Sequence, residues 1–189
     1  MFQLVIHGRG GQGAKTLALM IAETAIQAQS FAQAFPDFGP ERTGAPIRSF
    51  VRIDQEKIIT HEPVTRPDVV IVLDQSLIKN PEVLESLSSS KNPALIINSP
   101  DSSGEILKIL SQFFDFKGRI HVVDALAAVA EFSGKIHPTV PIIGKLIKIT
   151  EIISLDDFKK TYESKFLEKL GEESIKQTLK TLEDSYYGL

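Results

Sequence analysis

The chain has 189 residues, 42% of them apolar and 24% charged, which at roughly 150 residues per domain predicts one compact domain, residues 1–189, able to build a core without disulfide or metal staples. It has no cysteine, which excludes disulfides, a thiolate nucleophile and an iron-sulfur cluster held by its own thiolates. The net charge of −3 hides an asymmetry: residues 151–189 carry nine acids against six lysines, and residues 1–150 carry fifteen charges of each sign, which argues against a nucleic-acid partner.

In chain order, Leu4-Val5-Ile6 reads as a short buried strand that runs into Gly8-Arg9-Gly10-Gly11-Gln12-Gly13 and then a helix from about Ala14 to Gln29. Leu17, Met20, Ile21, Thr24, Ala25 and Ala28 repeat at the 3.6-residue helical period. Phe31 to Phe35 predicts a second strand, and the prolines and glycines of residues 36–46 predict a long loop. Residues 47–53 alternate as a strand that turns at Asp54-Gln55-Glu56 into Lys57 to His61, predicting a hairpin. Val69 to Leu73, Ala94 to Asn98 and Ile120 to Val123 are short apolar strands separated by helical stretches near 76–89 and 103–114. Further helices are expected near 125–133, 141–150 and 155–185, the last broken at Gly171. The alternation predicts an α/β fold: a single Rossmann-like, doubly wound, mostly parallel sheet with an inserted β-hairpin and a helical C-terminal tail at about 151–189.

The longest purely apolar runs, such as Val69 to Leu73 and Ala125 to Ala130, are far short of the roughly 20 residues of a membrane span. No basic segment precedes the first apolar stretch. The expectation is therefore a soluble, cytoplasmic protein without a secretory signal or a membrane partner.

Gly8 to Gly13 fits G-x-G-x-x-G between a strand and a helix, where small residues let backbone N–H groups and the positive helix end approach a phosphate. A dinucleotide site also wants an acid at the end of the second strand, where Ala34 and Phe35 stand, with Asp37 just beyond. The stretch nearly matches G-x-x-x-x-G-K-[ST] as well, but Ala14 is one residue too many and turns Lys15 by about 100° around the helix. Three readings stay open for the glycines: an NAD or nucleotide site, another anion site, or only a tight turn under close packing. Glu41-Arg42-Thr43 in the long loop is a second candidate, because Arg42 can grip a phosphate or carboxylate with two parallel hydrogen bonds or form a salt bridge instead. Arg48 and Arg52 share a face with Phe50, as either a subunit contact or a ligand site. Asp74, Asn98 and Asp124 each close a strand, where they either line a ligand site or cap the following helices. The four histidines, at 7, 61, 121 and 137, show no metal-ligand spacing and read as structural. No catalytic residue and no metal site are expected on this chain.

Gly8-Arg9-Gly10-Gly11-Gln12-Gly13, followed by Phe38-Gly39-Pro40-Glu41-Arg42-Thr43-Gly44-Ala45-Pro46 and Ser49-Phe50-Val51-Arg52-Ile53, resembles the gamma subunit of pyruvate:ferredoxin oxidoreductases and related 2-oxoacid enzymes. The resemblance continues through Arg66-Pro67-Asp68-Val69-Val70-Ile71, Val123-Asp124-Ala125 and the helix start at Pro141 to Lys145, and Glu41 to Pro46 looks like the pyruvate or branched-chain type. His137-Pro138 departs from the pattern, since relatives often carry asparagine there. The resemblance implies a subunit of a complex that converts a 2-oxoacid and coenzyme A to acyl-coenzyme A and carbon dioxide and reduces ferredoxin. Thiamine diphosphate, magnesium and iron-sulfur clusters are then expected in the alpha, beta and delta partner subunits or fused equivalents, with no cofactor bound by this chain alone. Gly8, Gly10, Gly11, Gln12, Gly13, Glu41, Arg42 and Thr43 are the candidate contacts for the coenzyme A co-substrate. The alternatives are an independent NAD- or nucleotide-binding protein and a purely structural subunit.

Overall fold

A computed structural model describes residues 1–37, 44–132 and 136–188. Its strands are β1 (Phe2–Arg9), β2 (Phe31–Asp37), β3 (Pro46–Asp54), β4 (Val69–Val72), β5 (Ala94–Asn98) and β6 (Ile120–Val123). They form one sheet in the order β2-β3-β1-β4-β5-β6. Only β3 runs against the others: it is antiparallel to both β1 and β2, while β1, β4, β5 and β6 pair in parallel. The sheet is therefore mostly parallel, as the alternating pattern predicts. The all-apolar β4, Val69-Val70-Ile71-Val72, is buried on both faces, as central parallel strands are.

The inserted hairpin is β2 with β3, not residues 47–53 with 57–61. The expected partner Lys57 to His61 forms no strand, because both edges of β3 are already occupied by β1 and β2 and no ladder position remains. The expected helix near 76–89 is also divided. A short 3₁₀ turn at Gln75–Leu77 precedes a separate α-helix, Pro81–Ser88, whose first turn is set by Pro81 and by the Asn80 side chain accepting from Glu82 N–H.

The helices are α1 (Ala14–Gln27), α2 (Pro81–Ser88), α3 (Ser103–Leu110), α4 (Ala125–Val129), α5 (Thr139–Thr150), α6 (Leu155–Leu170) and α7 (Glu172–Tyr187). Gly171 breaks the C-terminal helical tail where the sequence predicts it. Residues of alternate parity on each strand face opposite layers. Leu4, Ile6, Val51, Ile53, Ile71 and Ile96 pack under α1, α5 and α7. Val70, Val72, Leu95 and Ile97 pack under α2 and α3. Thr161 of α6 donates to the Gln27 side chain of α1 at 2.8 Å, and Lys165 meets Glu23 at 2.5 Å, so the tail closes over the first helix.

Helix α5 approaches α7 at Gly144, where a Cβ would lie 2.7 Å from the Leu182 carbonyl oxygen and 3.0 Å from Ser185 Cβ. Gly144→Val is expected to lower unfolding free energy by about 1–3 kcal/mol, read from urea denaturation of the purified chain. A second test concerns His7, which is 2% exposed and sits 3.0 Å from Ser86 Oγ. Burial, reinforced by the charge of Arg48, pushes its imidazole down to about 3. The unfolded chain takes up this proton near pH 6.5, so the stability that neutral His7 confers is whole above pH 6.5 and is lost as the pH falls from there toward 3. In that window His7→Gln should flatten the pH dependence of unfolding by up to about 1.4 kcal/mol per pH unit.

Candidate functional site

The carboxyl ends of β1, β4, β5 and β6 open into one concave site, as expected where helices leave a parallel sheet on opposite faces. Its lining includes Gly11, Gln12, Asp74, Asn98, Asp124 and His137, around a cavity of about 440 Å³. The glycine loop forms one wall. Gly10 N–H donates to the Ala45 carbonyl at 2.9 Å, and Gln12 N–H donates to the Arg9 carbonyl at 3.0 Å. Gly8 lies against the end of β4, where a Cβ would be 3.1 Å from Leu73 Cδ1. Gly11 and Gly13 have φ of +93° and +83°, which side-chain-bearing residues rarely adopt. Gly13 is also the residue before α1 and has no side chain to cap it. The first-turn amides, without intrahelical partners, thus meet no capping oxygen from that residue.

The loop is held by the Asp74 carboxylate at the end of β4. Asp74 accepts from Arg9 Nε at 3.0 Å, Gln12 Nε2 at 3.0 Å, Ser76 N–H at 2.9 Å and Ser76 Oγ at 2.6 Å. Burial pushes this carboxyl up, but the hydrogen bonds from Ser76 and Gln12 and the charge of Arg9 outweigh it and hold the group below the ordinary carboxylate range. Arg9 donates as well to the Gly44 carbonyl at 3.1 Å and to Ser76 Oγ at 2.7 Å. The Gln12 side chain therefore faces the loop's own framework, with Oε1 accepting from Arg9 N–H at 2.7 Å. It positions the glycines rather than reaching outward.

Asp74, Asn98 and Asp124 all line the site; Asp74 and Asp124 are also caps, as expected, but the helix after Asn98 is capped by Ser102 instead. Asp74 caps the 3₁₀ turn, and Asp124 Oδ1 accepts from Ala127 N–H of α4 at 3.0 Å. Asn98 ties two strand ends together, donating to the Leu73 carbonyl at 3.1 Å and accepting from Ala125 N–H at 3.0 Å. His137 was not legible as a site residue. It precedes α5, and its ring packs on Gly13 from a position far away in the sequence. Below it a second, mainly apolar cavity of about 550 Å³ runs between α1 and α6 past Leu17, Met20, Phe158 and Tyr162.

Of the sequence candidates, Gly11 and Gln12 line the first cavity and Gly13 the second, Gly8 and Gly10 pack inside the loop against Leu73 and Ala45, and Glu41, Arg42 and Thr43 lie outside the described residues. Arg48 and Arg52 are on the far face of the hairpin. Arg48 pairs with Asp37 at 2.5 Å, so Asp37 is committed away from any ribose, and β3 separates β2 from β1, unlike the second strand of a dinucleotide fold. Arg52 is 3% exposed, donates to the Glu62 carbonyl at 2.6 Å and lies over the Phe35 ring. It is an internal residue, not a subunit contact.

Asp74→Ala leaves Arg9 and Gln12 without their shared acceptor. The expected result is a loss of about 2 kcal/mol in stability, together with faster amide exchange at Gly10 to Gly13, measured by hydrogen–deuterium exchange.

The family model for pyruvate ferredoxin/flavodoxin oxidoreductase matches residues 3–187. The chain is 36% identical over 185 residues to the pyruvate synthase subunit PorC of Thermotoga maritima, covering 98% of this chain and 93% of that protein. It is 35% identical over 176 residues to the pyruvate/ketoisovalerate oxidoreductases common subunit gamma of Thermococcus kodakarensis, covering 93% and 92%. The crystal structure of the Thermotoga maritima subunit superposes with a TM-score of 0.82 at 34% identity, covering 98% of this chain and 95% of the other. A 2-oxoglutarate:ferredoxin oxidoreductase from Magnetococcus marinus shares the fold at a TM-score of 0.74 and 18% identity, with this chain matching 31% of its length. With these matches along nearly its whole length, the chain belongs to the pyruvate ferredoxin/flavodoxin oxidoreductase family, as a gamma-type subunit of a multi-subunit oxidoreductase.

Proposed function

We propose that this chain, as a single gamma domain, completes a cytoplasmic complex that oxidatively decarboxylates pyruvate or a related 2-oxoacid. The 2-oxoacid and coenzyme A become acyl-coenzyme A and carbon dioxide, and two electrons pass to ferredoxin. The observation that carries this reading is the family match over residues 3–187, with relatives named for pyruvate and ketoisovalerate at 35–36% identity. With no cysteine in the chain, the iron-sulfur clusters belong to partner subunits. Thiamine diphosphate and its magnesium are assigned there too, to alpha, beta and delta subunits or their fused equivalents. Among the described residues no group of His, Asp and Glu side chains could hold a metal ion, and no helix is long and apolar enough to cross a membrane.

The part proposed for this chain in the chemistry is to shape the coenzyme A side of the assembled site. Support comes from Gly11, which lines the first cavity, and Gly13, which lines the second, from the start of α1 without a side-chain cap on Gly13, and from the placement of both glycines just beyond the carboxyl end of β1. Backbone N–H groups at a helix start suit a phosphate oxygen. Glu41, Arg42 and Thr43 are proposed as further coenzyme A contacts, because a guanidinium can hold a phosphate with two parallel hydrogen bonds. Asp124, with one carboxylate oxygen used on Ala127, offers an acceptor for a hydroxyl or amine.

Anaerobic purification of the tagged chain from its host should bring down iron-sulfur and thiamine-diphosphate subunits with coenzyme A-dependent pyruvate oxidation. In that complex Gly11→Val, whose side chain enters open space at φ +93°, and Arg42→Ala should each raise the KM for coenzyme A about tenfold, with the KM for pyruvate unchanged. Complex yield altered with no change in either KM would instead establish a purely structural subunit.

A further inference from the structure

The two edges of the sheet differ. β6 closes one of them as a strand of four residues, just after Lys117 and Arg119, and short, charge-flanked edges resist pairing. β2 closes the other with seven residues, and among the described residues no strand lies on its outer side. Pro36 fixes which backbone groups β2 presents there. β2 meets β3 in an unbroken antiparallel register, from Phe31 opposite Asp54 to Asp37 opposite Arg48. In such a pair, facing residues alternate between those that exchange backbone hydrogen bonds and those that do not. A proline has no N–H to exchange, so Pro36 stands at a non-bonded position. Ala32 and Ala34 share its parity, and their N–H and C=O groups therefore point outward.

This outer edge is complementary to itself. Phe31-Ala32-Gln33-Ala34-Phe35 reads the same in both directions. Laid antiparallel on a second copy about a two-fold axis at Gln33, it sets Ala32 opposite Ala34, so that the two exchange both backbone bonds, and it sets Phe31 opposite Phe35. Facing aromatic residues on neighbouring strands stabilise a sheet, and Phe31 is 48% exposed. Ile26 of α1, the helix that packs on β2, is exposed as well, and so is Ile59, next to the Ile58 carbonyl that accepts from Gln33 Nε2. No charged residue stands between Glu23 and Asp37, so two chains that each carry a net charge of −3 meet here without opposing like charges. Pro36 also selects the register, since a pairing with Pro36 opposite Ala32 would forfeit a donor from each copy.

We propose that β2 is a self-association edge: two copies of this chain pair antiparallel through residues 31–35 and join their sheets into one, so that the assembled oxidoreductase holds this subunit in pairs. β3 separates β2 from β1, so the pairing draws on neither the glycine loop nor the coenzyme A reading.

The chain has no cysteine, so a single introduced thiol reads the register directly. In the proposed pair Gln33 faces its own copy at a non-bonded position, where Cα atoms lie about 4.5 Å apart, within the span of a disulfide. Under mild oxidation Gln33→Cys should give a covalent two-copy species, both in the purified full chain and in the intact complex. Phe31→Cys, which faces Phe35 rather than itself, should not. Analytical ultracentrifugation of the unsubstituted chain should show a two-copy mass that depends on concentration. Ala34→Pro removes an outward donor and leaves the ladder to β3 intact, and Phe31→Lys charges the exposed edge. Each should raise the dissociation constant of the pair about tenfold or more, with an unchanged circular dichroism spectrum showing that the fold is kept. A single-copy mass at every concentration, with no Gln33→Cys cross-link in chain or complex, would overturn the proposal. Equal cross-linking of Phe31→Cys and Gln33→Cys would overturn it too, as the mark of random collision. So would slow amide exchange at Ala32 and Ala34 in a complex that lacks the Gln33→Cys link, which would give this edge to a strand of a different subunit.

Discussion

A single carboxylate organises the site. Asp74, at the carboxyl end of β4, draws together a guanidinium, a side-chain amide, a hydroxyl and a backbone N–H. All four donors come from three residues, Arg9, Gln12 and Ser76, at or just beyond the ends of the neighbouring parallel strands β1 and β4. A glycine-rich loop has little of its own to hold it, since its residues lose the most conformational freedom on ordering. Here the order is imposed from outside, by Arg9 and Gln12 reaching across to the same oxygen. The partial burial of the cluster strengthens each contact. Without Asp74 the side chains of Arg9 and Gln12 would lose the acceptor that they share.

The sheet order explains why that loop borders a cavity. The chain leaves β1 through α1 toward β2 and β3 on one side, whereas β4, β5 and β6 lie on the other. The crevice between these two directions of winding is where helix starts and strand ends converge. Asp74, Asn98 and Asp124 each satisfy backbone groups at that crevice, so local capping needs and the shaping of the site are met by the same side chains. The antiparallel β3 displaces β2 by one strand from β1. That removes the acid a dinucleotide fold uses, and Asp37 is spent on Arg48.

The C-terminal helices make the second half of the site possible. Helices α6 and α7 pack on α1 and α5, with Gly144 allowing the close approach of α5 to α7. This sets the start of α5 and its His137 against Gly13. A residue near the C-terminal third thus completes a motif written in the first thirteen residues. Aromatic residues of α6, Phe158, Tyr162 and Phe166, line the adjoining apolar cavity, so the tail is part of the site's wall and not only a solvated appendage.

Much of this was legible in the sequence. Short Val- and Ile-rich runs alternating with helical periods specify a parallel core, because only strands buried on both faces tolerate such runs. The glycine spacing between strand and helix marks the tight loop at the carboxyl end of β1, and the absence of cysteine excludes a thiolate-held cluster on this chain. The strand-closing residues Asp74 and Asp124 were visible as caps for a local reason, whereas Asn98 accepts from Ala125 N–H far along the chain and leaves the cap of the next helix to Ser102. Sheet neighbours were not legible. Whether Ile47 to Ile53 pairs with residues 57–61 or with Phe31–Asp37 depends on which edges are free, and that is settled only when β1 has taken one of them. The internal fate of Arg52, the inward turn of Gln12 and the seat of His137 on Gly13 were hidden for a like reason. Each is a contact between side chains brought together by the fold, and periodicity reports the face a residue occupies but not what lies across from it.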